Sequence, residues 1–268
     1  MENIDKIYEW NPSDYAEHSS AQYKWGKDLL ELLSLNGNEA LLDIGCGDGK
    51  ITELISKKLI QGKVVGIDKS KDMIRFAKQK YTNDKFSNLT FRVSDACNFL
   101  FENEFDVIYS NAALHWIEDQ ASVLKNAYNS LKKNGRILFQ MGGKGNLNEM
   151  FEIITLTLKN DKWKEYFSGF EFPYFFYSDS EYSEFLLKAN FIIDKIELIP
   201  RIMTHENANG LAGWIRTTWH PFLNRVPHNL RVDFINDIVY DFLKTYPLDL
   251  SGKSNIKMVR LQVQAHKI

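Results

Sequence analysis

Residues 42–50 read Leu-Asp-Ile-Gly-Cys-Gly-Asp-Gly-Lys, a run that forces the chain around it into strand, glycine turn and helix. The glycines fall at alternate positions, Gly45, Gly47 and Gly49, after Asp43. An apolar stretch (Ala40, Leu41, Leu42, Ile44) precedes them, and a helical pattern (Ile51, Leu54, Ile55, Leu59) follows. This is the context a nucleotide-binding loop needs. Glycine lets the backbone take φ > 0 and removes the Cβ that would block a ligand lying on the loop. In a dinucleotide fingerprint the third glycine comes three residues after the second, so that pyrophosphate sits on the helix N-terminus. Here it comes two residues after, and an acid stands two residues before the first. That form suits a ligand with a cationic amino group and no phosphate.

Three more signals follow at the intervals of a βαβ unit. Val64-Val65-Gly66-Ile67-Asp68 is a short apolar strand ending in an acid that can accept hydrogen bonds from both ribose hydroxyls. A third strand runs from Leu89 into Ser94-Asp95-Ala96, where a carboxylate can accept from an adenine amino group. A fourth, from Phe105 to Ser110-Asn111, continues into Ala112-Ala113-Leu114-His115-Trp116. All four strand ends would share the ligand-binding edge of a parallel sheet. S-adenosylmethionine is a ligand that fits such a set, and the glycine spacing excludes NAD.

The chain has 268 residues, 44% of them hydrophobic, enough for one elaborated domain or a domain with a cap. Its net charge of −2 supplies no basic field for nucleic acid. The lysine pairs at 57–58 and 132–133 fall where helices should end and complement their dipoles. Cys46 lies inside the glycine loop and Cys97 after the third strand, so no disulfide framework is implied. Six histidines show no metal-ligand spacing. The first residues lack a basic segment followed by an apolar one, and no apolar run approaches a membrane span. The expectation is a cytoplasmic protein, monomer or homodimer, with a small-molecule partner, no nucleic acid and no membrane.

Residues 11–33 look helical, with Trp25, Leu29, Leu32 and Leu33 on one side and Asn36-Gly37-Asn38 as the stop. Strands are expected near 40–44, 63–67, 89–93, 105–110 and 136–141, with helices near 50–59, 71–80 and 119–132. Asn134-Gly135 would supply the left-handed turn ending the last of these helices. After Gly142-Gly143 the rhythm breaks. Helices near 147–160 and 179–189, an aromatic stretch at 167–177, a strand at 192–199, a helical insertion at 207–246 and a final alternating strand at 259–265 follow. Three regions result: a helical lid over 1–35, a ligand-binding core over 36–142, and helical cap insertions with the last two strands over 143–268. Insertions at the ligand edge of such a sheet decide what is bound.

The glycine loop, Gly-Ile-Asp, Ser-Asp-Ala, Ser-Asn-Ala-Ala-Leu-His-Trp and Leu-Lys-Lys-Asn-Gly-Arg-Ile-Leu together resemble class I S-adenosylmethionine-dependent methyltransferases over residues 39–141. A closer resemblance, to the trans-aconitate methyltransferases, rests on Trp10-Asn11-Pro12-Ser13-Asp14-Tyr15, on the Ser110 to Trp116 motif, on Trp214-Ile215, on Pro221-Phe222-Leu223 and on Tyr246-Pro247-Leu248. The chain departs from that family in having Thr218-Trp219-His220-Pro221 for Gly-Leu-Arg-Pro, and His115-Trp116 where Gln-Trp is frequent. The resemblance implies an α/β fold: a Rossmann-like doubly wound, mostly parallel seven-stranded sheet with the last strand antiparallel, plus a helical cap. It also implies cofactor residues. The loop Gly45, Cys46, Gly47, Gly49 would lie under the methionine moiety, with Asp43 near its ammonium. Asp68 and Lys69 would lie at the ribose, Met73 on the adenine, and Ser94, Asp95 and Ala96 at the adenine edge. Asn111 and Ala112 would line the floor below the sulfonium, and Tyr15 and Gln22 would close over the cofactor.

Methyl transfer from sulfur is an in-line displacement, so holding the geometry supplies much of the rate. Aromatic faces stabilise the sulfonium, and Tyr15, Trp116 and Trp219 are candidates. A carboxylate nucleophile is already ionised at pH 7 and needs no general base. His115 could orient such a group or take a proton from a hydroxyl. Arg216, Arg225 and His220 could pair with an anionic substrate. Asn111-Ala112-Ala113-Leu114 lacks the prolines of enzymes that methylate amino groups of bases and amides. The expected function is O-methylation of a small carboxylic acid. The alternatives are hydroxyl O- or N-methylation with His115 as base, and a non-catalytic cofactor-binding regulator.

Overall fold

The computed structural model describes residues 20–268, with side chains from Tyr23 onward. Seven strands form one sheet in the order β3-β2-β1-β4-β5-β7-β6. They are β1 (Ala40–Ile44), β2 (Lys63–Asp68), β3 (Leu89–Val93), β4 (Phe105–Asn111), β5 (Leu131–Gly142), β6 (Ile192–His205) and β7 (Ser254–His266). The first five are parallel, and β7 runs antiparallel against β5, from Arg136 opposite His266 to Gly142 opposite Arg260. The strand order reverses between β1 and β4, the position where open α/β sheets bind ligands outside the strand ends.

Helices α1 (Ser20–Leu30), α2 (Lys50–Lys58), α3 (Lys71–Lys80), α4 (Gln120–Ser130) and α6 (Asp179–Lys188) flank the sheet, and α5 (Asn148–Lys159) lies between α4 and α6 in sequence. Both faces are covered, so the inner strands are apolar throughout. On one face Leu42, Ile44, Val65, Ile67, Ile108, Phe139, Leu261 and Val263 pack with α4 and α6 residues such as Val123 and Leu186. On the other, Leu41, Val64, Val107, Tyr109 and Leu138 meet Leu29, Leu33, Ile55 and Ile74.

The chain divides into two compact units. One holds residues 20–146, 174–201 and 259–268; the other holds 147–173 and 202–258. From Ser20 on, the helix expected in the lid belongs to the sheet unit. The second unit contains α5, α7 (Ala208–Thr218), α8 (His220–Leu223) and α9 (Arg231–Thr245), packed on aromatic rings. Phe167 stacks on Phe234 at 5.3 Å, and Trp219 meets Phe151, Trp214 and Phe222 at 5.8, 5.5 and 5.1 Å.

Three local expectations are corrected. Leu32 is 49% exposed, because after Leu30 the chain tightens into a 3₁₀ turn (Glu31–Leu33) that brings Leu33 inward instead, and Ser34 at φ +43° ends it. The helix expected to reach 132 stops at Ser130, and Asn134 (φ +63°) serves not as its cap but in a bulge of β5, where the register slips between Phe105–Leu131 and Val107–Arg136. The last two strands are longer than the alternation suggested, reaching His205 and starting at Ser254.

α1 is held to the sheet by the Tyr109 hydroxyl, which donates to the Gly26 carbonyl at 3.0 Å in a buried setting, and by Arg136, which donates to the Leu33 carbonyl at 2.6 Å. Removing the hydroxyl deletes one buried hydrogen bond between the sheet and the helix. Tyr109→Phe should lower the unfolding free energy by about 1–2 kcal/mol, read from urea denaturation.

Candidate active site

The carboxyl ends of β1, β2 and β4 converge through the glycine loop. The Gly45 and Cys46 amides donate to the Ile67 carbonyl at 2.8 and 3.0 Å, and the Gly47 amide donates to Asp68 Oδ2 at 2.9 Å. The Ser70 amide donates to the other Asp68 oxygen at 2.8 Å, and the Ser70 hydroxyl caps α3 by accepting from the Met73 amide. Burial raises the Asp68 carboxyl above its ordinary range. Met73 is buried in the first turn of α3.

The three loop glycines have positive φ but different surroundings. A Cβ on Gly45 would overlap the Ala113 side chain, and one on Gly49 would meet the Phe91 ring at 2.8 Å. A Cβ on Gly47 would meet nothing within 4 Å. Gly45 and Gly49 are thus demanded by packing, whereas beside Gly47 there is room for a ligand. Cys46 is buried, and burial with Asp68 and Asp43 nearby pushes its thiol well up, so it stays protonated.

Asp43 is 2% exposed and accepts a hydrogen bond from the Thr52 hydroxyl at 2.7 Å. Burial raises its carboxyl to about 7, and the Asp68 charge adds to the effect. A buried carboxylate driven this high is a seat for a cation, which fits an ammonium-bearing cofactor. Asp95 is pushed up by burial, but the Cys97 amide at 2.8 Å and the Lys69 ammonium at 3.2 Å outweigh it and hold the carboxyl below the usual range. Ser94 donates its amide to the Asp68 carbonyl at 3.0 Å, joining the second and third strand ends, and Ala96 is buried just beyond.

Asn111 ends β4. Ala112 has φ +57° and donates its amide to the Gln140 carbonyl at 2.8 Å. An alanine held in the left-handed region carries roughly 1–2 kcal/mol of strain, the kind of cost that collects at functional sites. The next residues form a 3₁₀ turn (Leu114–Trp116) pinned by buried Gln120, whose amide donates to the Leu114 and Ile117 carbonyls. His115 is not at the solvent surface. Its Nδ1 accepts from the Gly142 amide at 3.4 Å, which leaves the proton of the neutral ring on Nε2. Burial, helped by the Arg260 charge, pushes its pKa down to about 3. Trp116, Tyr174 and Phe176 surround it at 5.7, 6.1 and 5.8 Å, and the Phe175 amide donates to the His115 carbonyl.

Tyr15 lies outside the described residues, as does the side chain of Gln22. Of the second unit's candidates, Trp219 is fully buried in its aromatic core, Trp214 is buried beside it, and Arg216 stands exposed on α7. Arg225 donates to the Ser168 carbonyl at 2.8 Å, and His220 opens α8. Sequence reasoning missed Tyr174 and Phe176, whose aromatic run was visible without a place in the site. It also missed Arg260 and Gln140, whose strands showed nothing but alternation.

Comparison with known proteins identifies the family. The model of the methyltransferase domain family matches residues 35–180, and the chain belongs to that family. It is 33% identical to an uncharacterised methyltransferase of Schizosaccharomyces pombe, over 96% of this chain and 98% of the relative. It is 24% identical to the trans-aconitate 2-methyltransferase of Variovorax paradoxus, over 97% and 99%. The YcgJ protein of Bacillus subtilis shares the fold with a TM-score of 0.64 at 15% identity, covering 91% of this chain and 98% of that one. The protein is an S-adenosylmethionine-dependent methyltransferase. Among the described residues no helix is long and apolar enough to cross a membrane, and no cluster of metal-ligating side chains occurs.

Three outcomes follow from the loop and the strand ends beside it. A cation beside Asp43 requires the ionised form, so binding expels its proton below pH 7. Affinity for S-adenosylmethionine should rise about tenfold from pH 5.5 to 7, and Asp43→Asn should abolish that slope in calorimetric titration. Gly47→Val fills the open side of the loop and should remove measurable cofactor binding, while Asp68→Ala should weaken it by about 1.5–3 kcal/mol.

Proposed function

We propose that this methyltransferase esterifies the carboxylate of a small acid. The observation that carries the reading is the state of His115. With its pKa near 3 and Nδ1 accepting a backbone amide, the ring is neutral at physiological pH and a poor proton acceptor. A hydroxyl acceptor would need a base that His115 does not provide, whereas a carboxylate needs none. Nε2–H is instead a donor, suited to orienting an acceptor oxygen. The absence of prolines after Asn111 and the acid named as acceptor of the Variovorax relative support the same choice.

S-adenosylmethionine, when bound, supplies an electrophilic methyl group on a sulfonium. The chain's residues divide the work of holding it. Asp43 offers a carboxylate to the ammonium, while the open side of Gly47, with Gly45, Cys46 and Gly49, forms the bed. Asp68 and Lys69 flank the ribose position, and Met73, Ser94, Asp95 and Ala96 form the adenine side. Asn111 and Ala112 set the floor. Trp116, Tyr174 and Phe176 give His115 an aromatic wall that excludes water and suits a dispersing positive charge.

The test is a panel of octanoate, phenylacetate and trans-aconitate with methyl-labelled cofactor, reading base-labile label that leaves as methanol. Label transferred only to alcohols or amines would overturn the reading. At saturating cofactor, kcat should show no inflection between pH 6 and 8, because His115 titrates far below that window. His115→Ala should lower kcat by less than the ~100-fold that begins the range of a true general base. A steep loss following a titration at pH 6–7 would instead mark a hydroxyl acceptor.

A further inference from the structure

The second unit buries three side-chain polar atoms that have no hydrogen-bond partner among the described residues: His205 Nε2, Trp214 Nε1 and Ser254 Oγ. They come from three elements, the end of β6, the middle of α7 and the start of β7. The two strands are neighbours in the sheet. The side-chain pairs Asp194–His266, Glu197–Gln262 and Thr204–Asn255 run in opposite directions along them, which is an antiparallel register. Thr204 donates to Asn255 at 2.7 Å on the exposed side, so the next pair along, His205 and Ser254, shares the opposite face. Burial follows the same alternation: Met203, Ser254, Ile256 and Met258 point inward, whereas Thr204, Asn255 and Lys257 point outward. Cross-strand neighbours of this kind have Cβ atoms about 5 Å apart.

α7 brings the third group to the same place. Asn207 caps the helix by accepting from the Gly210 amide at 3.0 Å, and a Cβ on Gly210 would stand 3.5 Å from the His205 Cβ. One turn on, the Trp214 ring lies against the His205 ring with centroids 5.4 Å apart. Trp214 is 3% exposed and Ser254 is fully buried. The other buried hydroxyl of α7, on Thr217, donates to carbonyls of the helix itself, so it ties α7 to nothing else.

Buried polar groups without partners are costly, and three in one place call for a common partner. Its chemistry is set by theirs. The indole N–H is a donor only, so the partner must accept. A serine hydroxyl both donates and accepts. Burial pushes the His205 pKa down to about 4, so its ring is neutral at physiological pH and needs no counter-anion. A small, uncharged group that accepts and donates at once meets all three. Buried water does this, with about three hydrogen bonds to groups that are otherwise unsatisfied.

We propose that His205, Trp214 and Ser254 form an internal water-binding site that fastens α7 to the β6–β7 strand pair. The water oxygen accepts from the Trp214 indole, and its remaining lone pair and protons serve His205 Nε2 and the Ser254 hydroxyl. The site stands apart from the methyl-transfer chemistry and does not depend on which acceptor is methylated.

The test is a crystal structure of the full chain at a resolution that shows ordered water, together with urea denaturation of Ser254→Ala. One water within hydrogen-bond distance of all three side chains is expected. Ser254→Ala should lower the folding equilibrium constant about five- to tenfold, because it removes a bond to that water. In a dry interior the sign reverses: deleting an unpaired hydroxyl relieves a buried polar group and raises the constant. A stabilised Ser254→Ala variant, or a wild-type structure with no water or with a different molecule between the three groups, would overturn the assignment. Should the variant fail to fold, the wild-type structure decides.

Discussion

The clasp between the glycine loop and the end of β2 is the contact on which the site depends. Gly45 and Cys46 hang on the Ile67 carbonyl, and Gly47 hangs on the Asp68 carboxylate. These bonds turn three peptide groups of a left-handed glycine loop into a rigid shelf between two neighbouring strands. The same Asp68 caps the following turn through Ser70, so one side chain fixes the loop, the β2 end and the start of α3. Bonds from charged acceptors to backbone amides are among the stronger ones, and a buried site magnifies them. A shelf fixed this firmly is preorganised, as in-line transfer requires.

A second level of organisation comes from buried polar groups that are not part of the shelf. Gln120 holds the Leu114–Trp116 turn, and Tyr182 in turn donates to Gln120 at 3.0 Å. The turn presents His115 to Gly142, and Gly142 must be glycine because a Cβ there would crowd the Phe176 ring. The aromatic wall, the neutral histidine and the buried guanidinium are therefore one assembly built on the end of β5.

The mapping from sequence to structure was closest where a single local rule governs each residue. The five parallel strands and their helices fall where apolar runs and 3.6-residue periodicity put them, because buried parallel strands have no polar face to confuse the pattern. The α4 end and the Leu32 face differ because a bulge and a 3₁₀ turn rotate side chains by amounts that periodicity does not encode. The regions after 146 were legible as helical and aromatic, but their division into two interleaved units was not, since it depends on contacts between segments far apart in the chain.

The sequence by itself determined the cofactor: the spacing of Asp43, Gly45, Gly47, Gly49, Asp68 and Asp95 reflects local backbone needs that short motifs carry intact. The separate roles of the three glycines, the neutral state of His115 and the burial of Arg260 were decided by tertiary structure alone. Each depends on neighbours distant in sequence: Ala113 and Phe91 against the loop, Gly142 and Arg260 around the histidine, Trp25 under the guanidinium. The alternation in β7 reads as a strand with one wet face. Only its insertion between β5 and β6, with α1 packed over that face, removes the water and makes an ordinary arginine into a buried charge.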